Sequence, residues 1–453
     1  MKLSDIFGSH MVIQRDRDII FYGDADGTVT IDFAGERRSA EADGGRFEIR
    51  FPAMSAGGPY TAKAFFSDGT EETLSDILIG DVYIAGGQSN MQFQLRESFE
   101  GASALTDMPN VRFFNEPHIF RPEGCEPYKA FEPVWKPCTG DNALFLSAVA
   151  YFFALRRNAA GVPIGIISSN RGASRVESWT PKEDFEAAGL DQLLEGKRHR
   201  DYDYAEGFNK HHRLFSAKMS YILPFPVKAV LWYQGESDSG YMEAGYYLKQ
   251  FSVMVRAWRR LMNYDTPFFT VQLMPYSEGE DERRWAVTRE CQRLASEIIP
   301  GVALVTLFDT GEEKLIHPTK KQGVGFALAD AVGALLFGED REFCGPLPAC
   351  CVFSGGRAEV TMSHADGMFI DGERLTDAKI KLRGKDWEDA VGYCDGRRLI
   401  LSAASGESGD AVGVSLGFCN APKLDLKNSA GYLASPFIFP RPSEILMPED
   451  TVL

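Results

Sequence analysis

GDVYIAGGQSNMQFQL, residues 80–95, carries the change of texture that decides the fold. Val82, Tyr83, Ile84 and Ala85 have the composition of a short buried strand, and the chain then breaks into Gly86, Gly87, Gln88, Ser89 and Asn90. Two glycines at that break open backbone angles that a Cβ forbids. A serine presented on such a turn is either a nucleophile or an ordinary loop residue, because Gly, Ser and Asn are common turn formers. Alone, a turn of this length favours the ordinary reading. The rest of the chain has to separate the two.

Before this stretch the sequence alternates apolar and polar positions in short runs broken by glycine turns: MVIQR, DIIFYGDADG, TVTIDFAG, RFEIRFP and YTAKAFFSDGT. Period-two runs at this spacing predict a β-sandwich-like region over 1–80. After it, DVYIAGGQSN, VPIGIISSNRG, VKAVLWYQGESD, PFFTVQLMPY and GVALVTLFDTG are apolar runs that each end in a polar or glycine-rich cluster. Helical stretches lie between them. SAVAYFFALRRNAAG sets Val149, Phe152, Phe153 and Leu155 near one face and stops at Gly161, and YYLKQFSVMVRAWRRLM, WAVTRECQRLASEI and KKQGVGFALADAVGALLFG behave similarly. Strands alternating with helices predict a mostly parallel α/β sheet over 81–340, with ligands at the carboxyl ends of its strands. From about Cys344 the β texture returns, giving a second flanking β region over 341–453.

At 453 residues the chain is too long for one ordinary core. A net charge of −16 argues against nucleic acid or an anionic membrane surface as the partner. No apolar run of about 18 residues predicts a membrane span. The amino terminus has charged residues where a signal peptide needs an apolar core, so the expectation is a cytoplasmic protein, or a secreted one whose leader was removed. The eight cysteines form no CxxC pair, which points to buried thiols in a reducing compartment.

Four strand ends carry residues with chemistry. Ser89 follows the first; SSNRGASRVESW, with Gly172, follows the second; QGESD, with Gln234 and Glu236, follows the third; the last leads to His317 in IHP. A serine hydrolase needs a hydroxyl, an imidazole to take its proton, and N–H donors aimed at the developing oxyanion. Ser89, His317, the backbone N–H groups of Ser89 and Gly172, and the Gln234 amide would supply these parts. Singly, each is more often a turn or surface residue.

Together, GGQSNM, the glycine loop ending in VESW, WYQGES and IHP resemble the sialate O-acetylesterase family of SGNH-type carbohydrate esterases. Similarity extends to MVIQR and AGGPY near one end and to NSAGYLASPF near the other. The resemblance implies a three-layer, flavodoxin-like α/β SGNH hydrolase with flanking all-β regions. It also implies catalysis by Ser89 and His317, an oxyanion hole of Ser89, Gly172 and Gln234, and a site role for Glu236 that either braces its loop or orients His317. It calls for no cofactor and no metal, and for a small acetylated carbohydrate as partner; it points to no particular oligomeric state.

Two departures from the family pattern bear on function. The aspartate expected two or three residues before the histidine is replaced by Leu315 and Lys314, leaving Glu313, Glu312, Asp309, Glu236 or a backbone carbonyl to orient the ring. The glycine loop carries Arg171 and Arg175, either of which would suit the carboxylate of a sialic acid. Trp179, Trp232, Tyr233 and Trp285 are candidate sugar platforms, with Trp232 or Tyr233 expected in the core. Adjacent His211 and His212 fall short of a zinc ligand set, and Arg289 and Gln292 are expected to tie loops together. Acetylated xylo-oligosaccharides are the alternative substrate, and a non-catalytic carbohydrate binder on an esterase fold is the alternative class.

Overall fold

The computed structural model describes residues 1–116, 133–194, 207–239, 244–277 and 283–448; Cys125, His118 and His199 lie outside them. The chain divides into two compact units, Met1–Trp232 with Val253–Phe268, and Tyr233–Ser252 with Phe269–Leu453.

The first unit is organised on one long strand, β1 (Glu71–Gly87). Its burial alternates up to Asp76 and becomes continuous from Ile77 to Gly87, and it pairs antiparallel with Gly57–Phe66 from Glu71 as far as Ile79. This is the pattern change from a sheet with one wet face to a parallel sheet covered on both. Residue 80, where the sequence changes texture, therefore falls inside a strand that belongs to both kinds of sheet. A separate three-stranded sheet built on Ile19–Asp24 packs its Phe21 and Phe51 edge-on to Phe33 of the neighbouring sheet.

Beyond β1 come α1 (Ser89–Gln92), β2 (Met108–Asn115), α2 (Ala148–Arg157), β3 (Ile164–Asn170) and β4 (Ala229–Tyr233). The sheet order is Trp135–Cys138, β2, β3, β1, β4, with β3 parallel to both β1 and β2. Helix α2 starts where the Ser147 hydroxyl accepts from the Ala150 N–H at 3.2 Å, and its chain turns off at left-handed Gly161. It differs from the expected one-sided helix: residues 148–154 are buried on every face, and Leu155 is only half-buried. Ala150 and Ala154, one turn apart, lie on the face opposite Phe152 and Ala148.

The second unit carries α3 (Glu236–Ser239), α4 (Tyr247–Met262, whose last turns belong to the first unit), β5 (Phe268–Val271), α5 (Arg284–Ile298), β6 (Val302–Val305) and α6 (Gln322–Phe337). Strands β5 and β6 are neighbours. The chain then forms a seven-stranded antiparallel sheet running from Leu347–Ser354 at one edge to Phe437–Phe439 at the other. Its core includes Val360, Ile380, Leu399, Leu401, Val414 and Phe437. Within this unit Gln272 Nε2 donates to Ser435 Oγ at 2.9 Å, and fully buried Arg289 donates to the carbonyls of Asn420 and Cys419. Arg289 thus ties chain segments together, as expected.

No helix among the described residues is long and apolar enough to cross a membrane. Of the seven cysteines described, all are free thiols; Cys138, Cys291 and Cys344 are buried, but Cys350 is exposed and the rest are half-buried, fewer in the core than expected.

Candidate active site

Parallel pairing and register bring the first two motifs together. Asn170 of β3 lies opposite Gly87 of β1, and the ladder continues one step further through an Arg171 N–H to Gly87 carbonyl bond of 3.0 Å. Gly87 has φ of +136°, an angle that excludes a side chain, while a Cβ on Gly86 would stand 3.0 Å from the Trp232 ring. The chain can therefore turn sharply out of β1 into α1, placing Ser89 at the first helical position. Met91 and Gln92 donate their N–H groups back to the Gln88 carbonyl. Ser89 is half-buried between buried Gln88 and Asn90.

Gly172 sits directly against this turn. A Cβ built there would lie 3.5 Å from Ser89 Cβ and 3.2 Å from Gln92 Oε1. The Gly172 N–H donates to Gln92 Oε1 at 2.5 Å. Its loop is braced from below: Asn209 accepts from the Arg175 N–H and donates to the Ala173 carbonyl, both at 2.9 Å, and Trp179 Nε1 donates to Ser174 Oγ at 3.0 Å. Arg171 lays its guanidinium over the Phe208 ring, 4.5 Å from the centroid. Arg175 faces Glu177 at 3.8 Å, with both side chains largely buried. Neither is the exposed loop arginine that a surface position would give.

In the second unit the Gln234–Glu236 motif is also braced. Gly235 has φ of +138°, and a Cβ there would stand 3.1 Å from Gln292 Nε2. Gln292 donates to the Gln234 carbonyl at 3.0 Å and accepts from the Leu273 N–H at 2.9 Å, tying the loop to the end of β5. This is the loop-tying role expected of it. Gln234 is fully buried and its amide donates to Asp238; Tyr247 Oη donates to its carbonyl at 3.3 Å. Glu236 is buried at the start of α3. His317 is half-buried, four residues before buried Lys321.

Among the acids considered for orienting His317, Asp309, Glu312 and Glu313 are exposed, and Glu313 lies 3.6 Å from Lys314. Glu236 is the buried one. The aromatic platforms belong to the core: Trp179 and Trp232 are 0% exposed, Tyr233 1% and Trp285 8%. Trp232 packs edge-on between Trp179 and Trp258, and Trp285 Nε1 donates to the Met274 carbonyl at 2.7 Å. Their rings therefore present no face to a sugar. The His211 ring stacks flat on Phe185.

Sequence reasoning missed Gln92 and Lys321. Both stood in quoted motifs, but their contacts cross from one motif to another and appear only once the strands are paired. A buried cluster also escaped notice: fully buried Glu116 accepts from Lys218 Nζ at 2.5 Å and from Ser169 Oγ at 2.9 Å.

The profile of the family described as carbohydrate esterase, sialic acid-specific acetylesterase, matches residues 79–332, the span that contains Ser89, Gly172, Gln234, Glu236 and His317. The chain belongs to that family. It is 26% identical over 410 residues to the sialate O-acetylesterase of Mus musculus, covering 77% of this chain and 76% of that one. The corresponding Rattus norvegicus protein is 25% identical over 411 residues, with the same coverage. A carbohydrate acetylesterase from Xanthomonas citri has a similar solved structure, with a TM-score of 0.83 and 30% identity over 96% of this chain and 99% of that chain. This esterase is thus similar to acetylesterases along most of its length.

Proposed function

We propose that this esterase is a serine hydrolase of the three-layer SGNH type, with its catalytic domain over 81–340, that removes O-acetyl groups from a sugar. O-acetylated sialic acid is the leading substrate. The observation that carries the reading is the packing of Ser89, at the first position of α1, against the Gly172 loop. A hydroxyl held beside a backbone N–H suits acyl transfer.

In the proposed reaction Ser89 Oγ attacks the acetyl carbonyl carbon while His317 takes the hydroxyl proton. The N–H groups of Ser89 and Gly172 stabilise the oxyanion. Gln234, whose amide carries a second hydrogen besides the one given to Asp238, is the third donor. The intermediate collapses, the ester C–O bond breaks, and the sugar oxygen leaves with the proton from His317. Water, deprotonated by the same imidazole, then attacks the acetyl-enzyme; the bond from the acyl carbon to Ser89 Oγ breaks, Ser89 takes the proton back from His317, and acetate leaves. Glu236, the buried acid, supports the loop of the third donor.

Arg171 supports a carboxylate-bearing sugar, since stacking on Phe208 leaves its charge in place. Arg175 favours a second reading, acetylated xylo-oligosaccharides, because its guanidinium already faces Glu177. The test is acetate release from both substrates by the parent chain, Ser89→Ala and His317→Ala. The proposal expects turnover by the parent, a loss of about a thousandfold or more in each variant, and preference for the sialic acid ester. Preference for the xylan ester selects the second reading. An inert parent would leave a carbohydrate binder.

A further inference from the structure

The turn that carries Gly172 has its glycine in an unusual place. The Ser174 N–H donates to the Arg171 carbonyl at 3.3 Å, so Gly172 and Ala173 are the two central residues, and it is Ala173 that takes positive φ, +59°. A turn with positive φ at its third residue ordinarily has glycine there, because a Cβ is crowded in left-handed backbone. Here the glycine stands one residue earlier, where a Cβ would lie 3.2 Å from Gln92 Oε1 and 3.5 Å from Ser89 Cβ. Close approach to Ser89 uses the glycine. The left-handed angle falls to an alanine, which needs surroundings that hold it there.

Asn209 supplies that hold. It is 7% exposed and closes on both sides of Ser174: Oδ1 accepts from the Arg175 N–H and Nδ2 donates to the Ala173 carbonyl, each at 2.9 Å. An N–H can only donate and a carbonyl can only accept, so these partners fix the orientation of the amide and need both of its ends. The segment bearing Asn209 is itself laid along the loop, with Phe208 under the Arg171 guanidinium and the His212 N–H donating to the Glu177 carbonyl at 3.3 Å. On the other side of the turn the Arg171 N–H is bonded to the Gly87 carbonyl. Gly172 is therefore suspended between two anchored points, one on β1 and one on Asn209.

We propose that Asn209 is a positioning residue for the acyl transfer: it keeps Ala173 left-handed and so keeps the Gly172 N–H beside Ser89. Its part differs from that of Gln92. Gln92 occupies the Gly172 N–H and has to yield it to an oxyanion, whereas Asn209 bonds groups that take no part in the reaction and can stay in place throughout. Without Asn209, rotation of Ala173 to negative φ turns the peptides on either side of it. Gly172 is the next residue and moves with them.

The inference rests on the proposed esterase site, and its test separates the two. Hydrolysis of 4-nitrophenyl acetate is compared, per folded enzyme, for the parent, Ser89→Ala, Asn209→Ala, Asn209→Asp and the Asn209→Ala, Ala173→Gly double variant. Asn209→Ala is expected to lower kcat by on the order of tenfold or more with KM little changed, because the displaced donor acts in the transition state. Asn209→Asp has the same shape and keeps the bond from the Arg175 N–H, but it sets a carboxylate against the Ala173 carbonyl, so its kcat should fall at least as far. The double variant should recover about fivefold of the loss, since glycine takes the left-handed angle without the penalty that drives alanine out of it. A residue that only stabilised the fold would leave kcat per folded enzyme unchanged. Parent kcat in Asn209→Ala or Asn209→Asp, a loss confined to KM, or a double variant as slow as Asn209→Ala would overturn the proposal. If Asn209→Ala does not fold, the isosteric Asn209→Asp decides. An active Ser89→Ala would instead overturn the proposed site; an inactive Ser89→Ala beside a parent-like Asn209→Ala would overturn only the role of Asn209.

Discussion

The Gly172 N–H donates to Gln92 Oε1 at 2.5 Å, so the backbone donor assigned to the oxyanion is held by a side chain one helical turn after Ser89. That bond does two things. It satisfies a half-buried backbone donor, and it locks the glycine loop to α1 before substrate arrives. A substrate oxyanion has to displace the Gln92 oxygen, exchanging a neutral acceptor for a charged one, which is favourable only as charge develops.

Gln92→Glu tests this exchange. A carboxylate holds the Gly172 N–H more strongly and places negative charge against the oxyanion. We expect kcat to fall by about a hundredfold or more, the scale of losing one oxyanion donor. Gln92→Ala, which removes only the brace, should cost about tenfold or less. Steady-state rates on 4-nitrophenyl acetate check both. A Gln92→Glu enzyme with the parent rate would show that the Gly172 N–H takes no part.

Arg171 and Arg175 should separate by substrate. Arg171→Gln is expected to raise KM for O-acetylated sialic acid by about tenfold, the scale of a hydrogen bond to a charged group, and to leave acetylated xylo-oligosaccharides unaffected. Arg175→Gln should act on both esters alike, because its partner is Glu177. Equal effects of Arg171→Gln on the two esters would remove the carboxylate from its assignment.

The Glu116–Lys218 pair makes a prediction about stability. Both side chains are 0% exposed, and burial pushes the Glu116 carboxyl above its usual range while Lys218 and Ser169 pull it back. Lys218→Met leaves a buried carboxylate without its cation and should destabilise the fold by about 3 to 5 kcal/mol. Adding Glu116→Gln should recover a large part of that. Denaturant unfolding of the single and double variants measures it; equal stability of parent and Lys218→Met would show that the pair contributes nothing.

Much of this was legible in sequence. The continuous apolar run before Gly86, with two glycines behind it, announced a buried strand ending in a sharp turn, because parallel strands covered on both faces have no polar positions to spare. The alternating runs on either side announced antiparallel sheet for the converse reason. What escaped was set by register. Gln92 reaches Gly172, 80 residues away, only because Asn170 pairs with Gly87, and no local pattern encodes that pairing. Lys321 looked like one lysine in a basic run until its burial near the Tyr233 ring distinguished it from exposed Lys320. The tryptophans were ambiguous for a similar reason: Trp179 and Trp258 lie 79 residues apart, yet Trp258 Nε1 donates to the Trp179 carbonyl.

The central claim is that Ser89 is a nucleophile activated by His317. Its most direct measurement is peptide mass analysis after treatment with a serine-directed fluorophosphonate. The account predicts one covalent adduct, on the peptide containing Ser89, formed rapidly in the parent and at least about a hundredfold more slowly in His317→Ala. An unmodified Ser89 in a folded parent chain, or labelling that is equally fast without His317, would contradict it.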